Sequence, residues 1–393
     1  MKRNVRFIYL YIFLAQLFFD RALWVIYLNE QGMSMTEIGI IEALMHLSVV
    51  LLEVPTGIVA DLYGRKISLF LGNLMSIGYG TFMLIGDSFS LFGLALVTLG
   101  VSVTFQSGAE EALAYDTLKE YGEEKRYTSV VGTMIALELI SLSVAKFFGG
   151  WLAEIDFTYV YLAVIVSHIV ALVPVFFLHE PPREKPEKMS IHRQWLSQVK
   201  TGWRVWQKHP SIHAPIIFFV GVGAVAVIIV FYGQEYFVRL GLSPLWIGTI
   251  FTAEGLIGAW MAKIAYKAEE RWSFFSITKY GYLLFLLFFV LFIWSPVWGI
   301  VSSFLILTQL LTLYEPIFSN MIQHRLDSSV RATFFSMISV VESFVTMLTF
   351  PLFGWVIDSW SFETGFVAIL LLLMALYAWQ VPDLKQNKHQ LNS

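Results

Sequence analysis

The chain is 393 residues long, 57% hydrophobic and 16% aromatic, but only 14% charged. A soluble domain carries about 25% charged residues, so this chain lacks the charge to cover a water-facing surface, and disorder and coiled coil fall for the same reason. A net charge of −3 gives no case for a nucleic-acid partner, and the lack of cysteine excludes disulfides, thiolate metal sites and cysteine nucleophiles, which leaves a polytopic membrane protein; the spans below make the expected class all-α integral membrane.

A helix needs about 20 apolar residues to cross a bilayer core. Twelve such stretches follow one another, at 5–28, 36–60, 67–86, 89–115, 127–152, 157–178, 211–238, 244–266, 273–294, 297–322, 331–357 and 362–381. Connections are short except at 179–210, which carries Pro181-Pro182, Pro186 and the basic residues Arg183, Lys185, Lys188, Arg193, Lys200, Arg204 and Lys208. The expected organisation is a six-helix bundle over 1–178, a central loop over 179–210 and a second six-helix bundle over 211–393. The first apolar run, behind Lys2-Arg3 and Arg6, imitates a secretory signal. It is too long, contains Asp20-Arg21 and lacks a small-residue cleavage site, so a retained first span is expected.

All but three of the 26 Lys and Arg residues fall on the amino-terminal side of the membrane; Arg239 is in an opposite-side loop, and Arg21 and Lys146 lie within spans. The positive-inside rule makes that side cytoplasmic and puts both termini there. The halves also match at fixed offsets. At 209 residues, Tyr27, Gly32, Ser34 and Ile38-Gly39 fall on Tyr236, Gly241, Ser243 and Ile247-Gly248; at 204, Glu111, Asp116, Glu138 and Gly150-Trp151 fall on Glu315, Asn320, Glu342 and Gly354-Trp355. Duplicated halves of this kind place a substrate site near the bilayer midplane.

The loop after the second span reads Gly57-Ile-Val-Ala-Asp61-Leu-Tyr-Gly64-Arg65-Lys66. A plain hairpin with positive-inside charges accounts for these residues. The pattern G-x-x-x-D-x-x-G-R-K between spans two and three of twelve also resembles the best-known motif of the major facilitator superfamily, and the resemblance covers essentially the whole chain. It implies two pseudo-repeated six-helix bundles working by alternating access. It also implies a cytoplasmic latch built from Gly57, Asp61, Gly64, Arg65 and Lys66, with Asp116 belonging to the same gate. Two patterns of the superfamily's drug:proton antiporters are only partly kept. Span five has Gly132, Ser141, Ala145, Gly149 and Gly150 in the small-residue positions but Lys146 in place of proline, and no arginine stands among Thr104, Phe105, Gln106 and Ser107 in span four.

Ionisable residues inside spans are costly and point to function. In the superfamily's architecture spans 1, 4, 7 and 10 line the cavity, and these carry Asp20, Glu111, Glu235 and Glu315; the flanking spans 2, 5, 8 and 11 carry Glu53, Glu138, Glu254 and Glu342. Asp20, Glu111, Glu138, Glu235, Glu315 and Glu342 are the proton-coupling candidates, Asp20 foremost, unless it pairs permanently with Arg21 or Lys146. For Glu138 and Glu342 a structural hydrogen bond is an equal reading. Phe19, Trp24, Phe105, Tyr232 and Tyr314 are candidates for a substrate cavity suited to flat, lipophilic or cationic compounds, although packing accounts for any one of them.

The expectation is a secondary active transporter for proton-coupled efflux of lipophilic or cationic organic compounds, resembling the drug:proton antiporter branch. The alternative is proton-coupled uptake or export of a specific metabolite on the same fold. No G-x-S-x-G, His/Asp metal cluster or phosphate-cradling loop points to an enzyme, so no catalytic residue or metal site is expected. The expected driving force is the proton gradient, with no cofactor. The expected partners are a small-molecule substrate, protons and the lipid of a plasma membrane, with the chain acting as a monomer.

Overall fold

The computed structural model describes residues 2–182 and 191–386, and those residues form helices joined by short turns, without a strand. Arg183, Lys185, Pro186, Lys188 and Lys388, basic or loop residues of the sequence pattern, lie outside the described residues. In chain order the helices are α1 (Lys2–Ala15), α2 (Trp24–Glu30), α3 (Met35–Tyr63), α4 (Arg65–Ile85), α5 (Phe89–Gln106), α6 (Ala109–Glu120), α7 (Tyr127–Ala153) and α8 (Phe157–Phe177). They continue with α9 (Ile191–Lys208), α10 (His213–Arg239), α11 (Pro244–Arg271), α12 (Phe274–Trp294), α13 (Val297–Arg325), α14 (Ser328–Ser359) and α15 (Phe362–Gln386).

Among the described residues, eleven helical stretches are long and apolar enough to cross a membrane, and the chain is a multi-pass membrane protein. The first expected span differs. It is divided into α1, of 14 residues, and α2, of 7, with turns between them. Neither glycine nor proline lies between Gln16 and Leu23, so distant contacts hold the break open. The Ser141 hydroxyl donates to the Phe13 carbonyl, and the Ser167 hydroxyl donates to the Leu17 carbonyl at 3.2 Å. The fourth expected span is also interrupted, at Ser107-Gly108. Gly108 has φ of 72°, a left-handed conformation that glycine adopts without steric cost, and it separates α5 from α6. Unbroken helices over 5–28 and 89–115 are therefore corrected. Within the central segment 179–210, α9 occupies residues Ile191–Lys208.

The helices group into two compact units. The first comprises residues 1–33, 40–191 and 241–255; the second comprises 34–39, 192–240 and 256–393. Within the first, α4 and α5 pack closely through Gly72, where a Cβ would stand 2.8 Å from Gln106 Cγ. The Ser102 hydroxyl donates to the Gly72 carbonyl at 2.7 Å across the same contact. Asp156 caps α8 by accepting the Thr158 N–H at 2.7 Å, and these hydrogen bonds hold its carboxyl below the ordinary value. The second unit is centred on rings: Phe218, Phe274 and Phe318 surround Tyr314, and Tyr232 lies between Phe350 and Phe353.

In each unit a carboxylate caps a helix start. In the first, Glu154 accepts the Leu245 N–H at 3.0 Å, in the opening turn of α11. In the second, Asp358 accepts the Met35 and Thr36 N–H groups at 3.0 and 2.8 Å and the Thr36 hydroxyl at 2.6 Å, at the start of α3. Both put negative charge at the positive end of a helix dipole.

Candidate functional site

The two helix breaks meet at a cavity of about 390 Å³ inside the first unit. Gln16, Phe18 and Arg21 reach it from the break between α1 and α2. Glu110 and Glu111 reach it from the first turn of α6, and Glu138 from α7. Irregular backbone at membrane depth persists only where protein or a cavity satisfies it, and both conditions are met here. Phe19 crosses α7 at Gly149, where a Cβ would stand 1.8 Å from the Phe19 carbonyl oxygen. The small residues of span five thus build the break: Ser141 bonds the opened end of α1, and Gly149 makes room for the segment that follows. Gly150 serves another contact, against the Pro244 carbonyl and Gly248 of α11.

Charge in the cavity is unequal, with three carboxylates and one guanidinium. Arg21 lies over the Phe18 ring at 5.0 Å and the Tyr79 ring at 6.0 Å, which keeps its planar head against aromatic faces. Glu111 is exposed to the cavity, with the Tyr127 hydroxyl at 3.4 Å. Glu110 is buried, and its Oε1 has no hydrogen-bond partner among the described residues. Glu138 is half-buried and lies within electrostatic reach of both. Gln106 and Ser102, bonded to each other at 2.8 Å, add neutral polar groups. An arrangement of this kind favours an added positive charge, whether a proton or a cationic group.

The expected site residues are placed as follows. Asp20 is fully buried in the break behind the cavity, where the Tyr79 hydroxyl donates to its Oδ2 and Oδ1 has no hydrogen-bond partner among the described residues. Its postulated pairing with Lys146 does not form; Lys146 instead pairs with Glu254 at 3.2 Å. Glu235 is buried and pairs with Arg239 at 3.3 Å, one turn on along α10. Glu315 is exposed and Glu342 half-buried in the second unit, close enough for their charges to interact. Phe19 contributes backbone to the break, and the Phe105 carbonyl accepts the Ser68 hydroxyl at 2.6 Å. Trp24, Tyr232 and Tyr314 are core residues: Trp24 is fully buried, the Tyr232 hydroxyl donates to the Met35 and Phe350 carbonyls, and the Tyr314 hydroxyl lies 3.2 Å from that of Thr278.

Sequence reasoning missed two buried acids. Glu42, 3% exposed, sits 3.5 Å from the His46 ring on α3, whereas Glu53 on the same helix is exposed. Glu110, next to the candidate Glu111, carried no mark in the sequence pattern; Gly108, with its left-handed backbone, ends the phase of α5 just before this pair. Gly108 itself was the available signal.

The motif turn is an internal clamp of the first unit. Arg65 pairs with Asp61 at 2.7 Å, and Gly64 turns the chain with φ of 126°. Glu180, which follows α8, accepts the Arg65 and Lys66 N–H groups at 2.9 and 2.8 Å and so caps α4. The Lys66 ammonium returns to the Phe176 and Leu178 carbonyls at 2.8 and 2.9 Å, at the end of α8. Gly57 lies inside α3 with nothing within 4 Å of a Cβ position. Asp116 is half-buried on α6 and supplies none of the clamp's hydrogen bonds. Among the described residues no group of three or more His, Asp or Glu side chains is placed to hold a metal ion.

Comparison with known proteins agrees with this architecture. The family model described as Major Facilitator Superfamily matches residues 7–347. The uncharacterized MFS-type transporter YxaM of Bacillus subtilis (strain 168) is 21% identical over 373 residues, which cover 93% of this chain and 92% of that protein. The quinolone resistance protein NorA of Staphylococcus aureus (strain MRSA252) is 24% identical over 264 residues, covering 66% and 65% respectively. In fold, the chain is similar to the nucleoside transporter NupG, with a TM-score of 0.80 at 13% identity over 98% of this chain and 100% of that one. It is also similar to a D-xylose-proton symporter, with a TM-score of 0.74 at 14% identity over 97% and 99%. The twelve-span pattern, the motif turn with its clamp and the family match together establish that the chain belongs to the major facilitator superfamily.

Proposed function

We propose that this transporter couples proton entry to the efflux of cationic or lipophilic organic compounds across the plasma membrane, with both termini cytoplasmic. The observation that carries the proposal is the cavity between the two helix breaks, where Glu110, Glu111 and Glu138 outnumber Arg21. Such a cavity can hold either a proton or a cationic substrate group, and competition between the two is the elementary requirement of proton-coupled exchange. The relationship to a quinolone resistance protein supports the same reading. Among the carboxylates, Glu110 and Glu138 line the cavity and take the coupling role, while Asp20, sealed behind it, holds the break in register through Tyr79. The proton gradient is the driving force, no cofactor takes part, and one chain is the working unit.

A second reading, exchange of a specific polar metabolite with protons, draws on the neutral hydrogen-bonding groups of Gln16, Gln106 and Ser102 in the same cavity. Everted vesicles holding a proton gradient and a lumenal pH indicator separate the two. Under the efflux reading, amphipathic cations release lumenal protons and neutral sugars or nucleosides do not, and Glu138→Gln lowers the release by about a hundredfold. Release by neutral polar solutes alone would favour the second reading. Lack of proton movement with either class would overturn both.

A further inference from the structure

Beneath α9 the second unit contains a cavity of about 530 Å³ whose lining is wholly apolar. Trp203 and Trp206 of α9 form one wall, and Ile217, Gly221, Val341 and Leu376 of α10, α14 and α15 form the others. The helix is seated firmly above it. At Gly202 the helix packs against the Met337 side chain, with a Cβ position 2.3 Å from its Sδ. The Trp206 ring stacks on His213 at 3.9 Å, and His213 Nε2 lies 2.7 Å from the Trp206 carbonyl.

The remaining face of α9 is cationic. Lys200, Arg204 and Lys208 are exposed and recur every fourth residue, which sets them in one stripe about 12 Å long. Trp203, next to Arg204, lines the cavity yet leaves 59% of its surface open. A helix with an apolar face, an exposed tryptophan and a basic stripe lies in the plane of the membrane interface. A cavity without polar groups gives water nothing to bond, whereas a hydrocarbon chain fits its chemistry.

We propose that this groove binds an anionic phospholipid, with an acyl chain in the cavity and the phosphate headgroup on Lys200, Arg204 and Lys208. Charge complementarity selects the occupant. A zwitterionic headgroup brings its own ammonium to the stripe and cancels the attraction. The side of the membrane that holds the chain's basic residues is the side whose leaflet supplies anionic lipid. The site is separate from the acid-lined cavity and does not depend on the identity of the transported compound.

The test uses the full-length protein, purified in mild detergent, stripped of lipid and mixed with phosphatidylglycerol or phosphatidylcholine before native mass spectrometry. Each basic residue near an anionic surface contributes about a fivefold preference, so the three together give at least about tenfold more retained phosphatidylglycerol. The variant K200Q/R204Q/K208Q should bring the two lipids to parity. Val341→Trp, at a position 41% exposed and so open to a larger ring, should fill the groove and remove retention with the thermal midpoint unchanged. Equal retention of both lipids by the unaltered protein, or a preference that survives the triple substitution, would overturn the proposal. Undiminished retention in Val341→Trp would equally exclude the cavity as the acyl site.

Discussion

At Gly149 the absence of one methyl group lets Phe19 pass, and with it the break that opens the first transmembrane helix. A Cβ there would stand 1.8 Å from a backbone oxygen, which cannot swing aside as a side chain can. Gly149→Ala is therefore expected to cost about 1–3 kcal/mol, as overpacking in a filled core does, and to lower the thermal midpoint in detergent. Gly132→Ala, where nothing lies within 4 Å, should leave the midpoint unchanged or slightly raised and serves as the control. The stripe of small residues on span five was legible in the sequence, but the residue it accommodates was not. Phe19 reads as a cavity aromatic, and its backbone carbonyl proves to be the group that matters. Glu110, absent from the candidate acids, is the buried member of the cavity's acid pair, whereas the candidate Glu111 is exposed. Periodicity tells which side chains share a face only while a helix continues, and Gly108 ends one just before this pair.

Helix ends show what elements can and cannot declare about themselves. Gly64-Arg65-Lys66 announces a turn between two spans, and the turn is there. Glu180, 115 residues away from Arg65, is invisible as its partner, because a cap supplied by tertiary contact leaves no local signature. Glu180→Gln should thus lower stability by about 0.5–2 kcal/mol through loss of a charged cap on α4. Asp61→Asn removes a partly exposed ion pair within one turn and should cost about 0.5 kcal/mol or less. Chemical unfolding of the purified protein, followed by helical circular dichroism, checks the order; a larger loss in Asp61→Asn would contradict a clamp centred on Glu180. The interrupted first span was illegible for a related reason. Gln16 to Leu23 contains no helix breaker, and the hydroxyls that satisfy its freed carbonyls come from Ser141 and Ser167, far along the chain.

Across the whole chain the duplication is visible in structure as well as sequence. The offset that carries Glu111 to Glu315 also carries Glu154 to Asp358, and both of the latter cap helix starts. Gly32 and Gly241, related by the other offset, have φ of 86° and 84°. The copies have nevertheless diverged in charge. Glu110 corresponds to Tyr314, a ring packed in the core of the second unit, and Asp20-Arg21 corresponds to Ile229-Val230. The second unit keeps the acid pair, Glu315 and Glu342, without the buried acid or the guanidinium that accompany its counterpart. If proton coupling belongs to the acid-lined cavity, the two equivalent glutamates must therefore differ in effect. Substrate-driven proton release in everted vesicles should fall by about a hundredfold in Glu138→Gln, the low end of what a positioned proton-transfer group contributes. Glu342→Gln, lacking Arg21 and Glu110 equivalents beside it, should lose less than about a tenth as much. Equal losses in the two variants would mean that the duplicated acids act as a symmetric pair, and that the charge divergence between the halves serves packing instead of coupling.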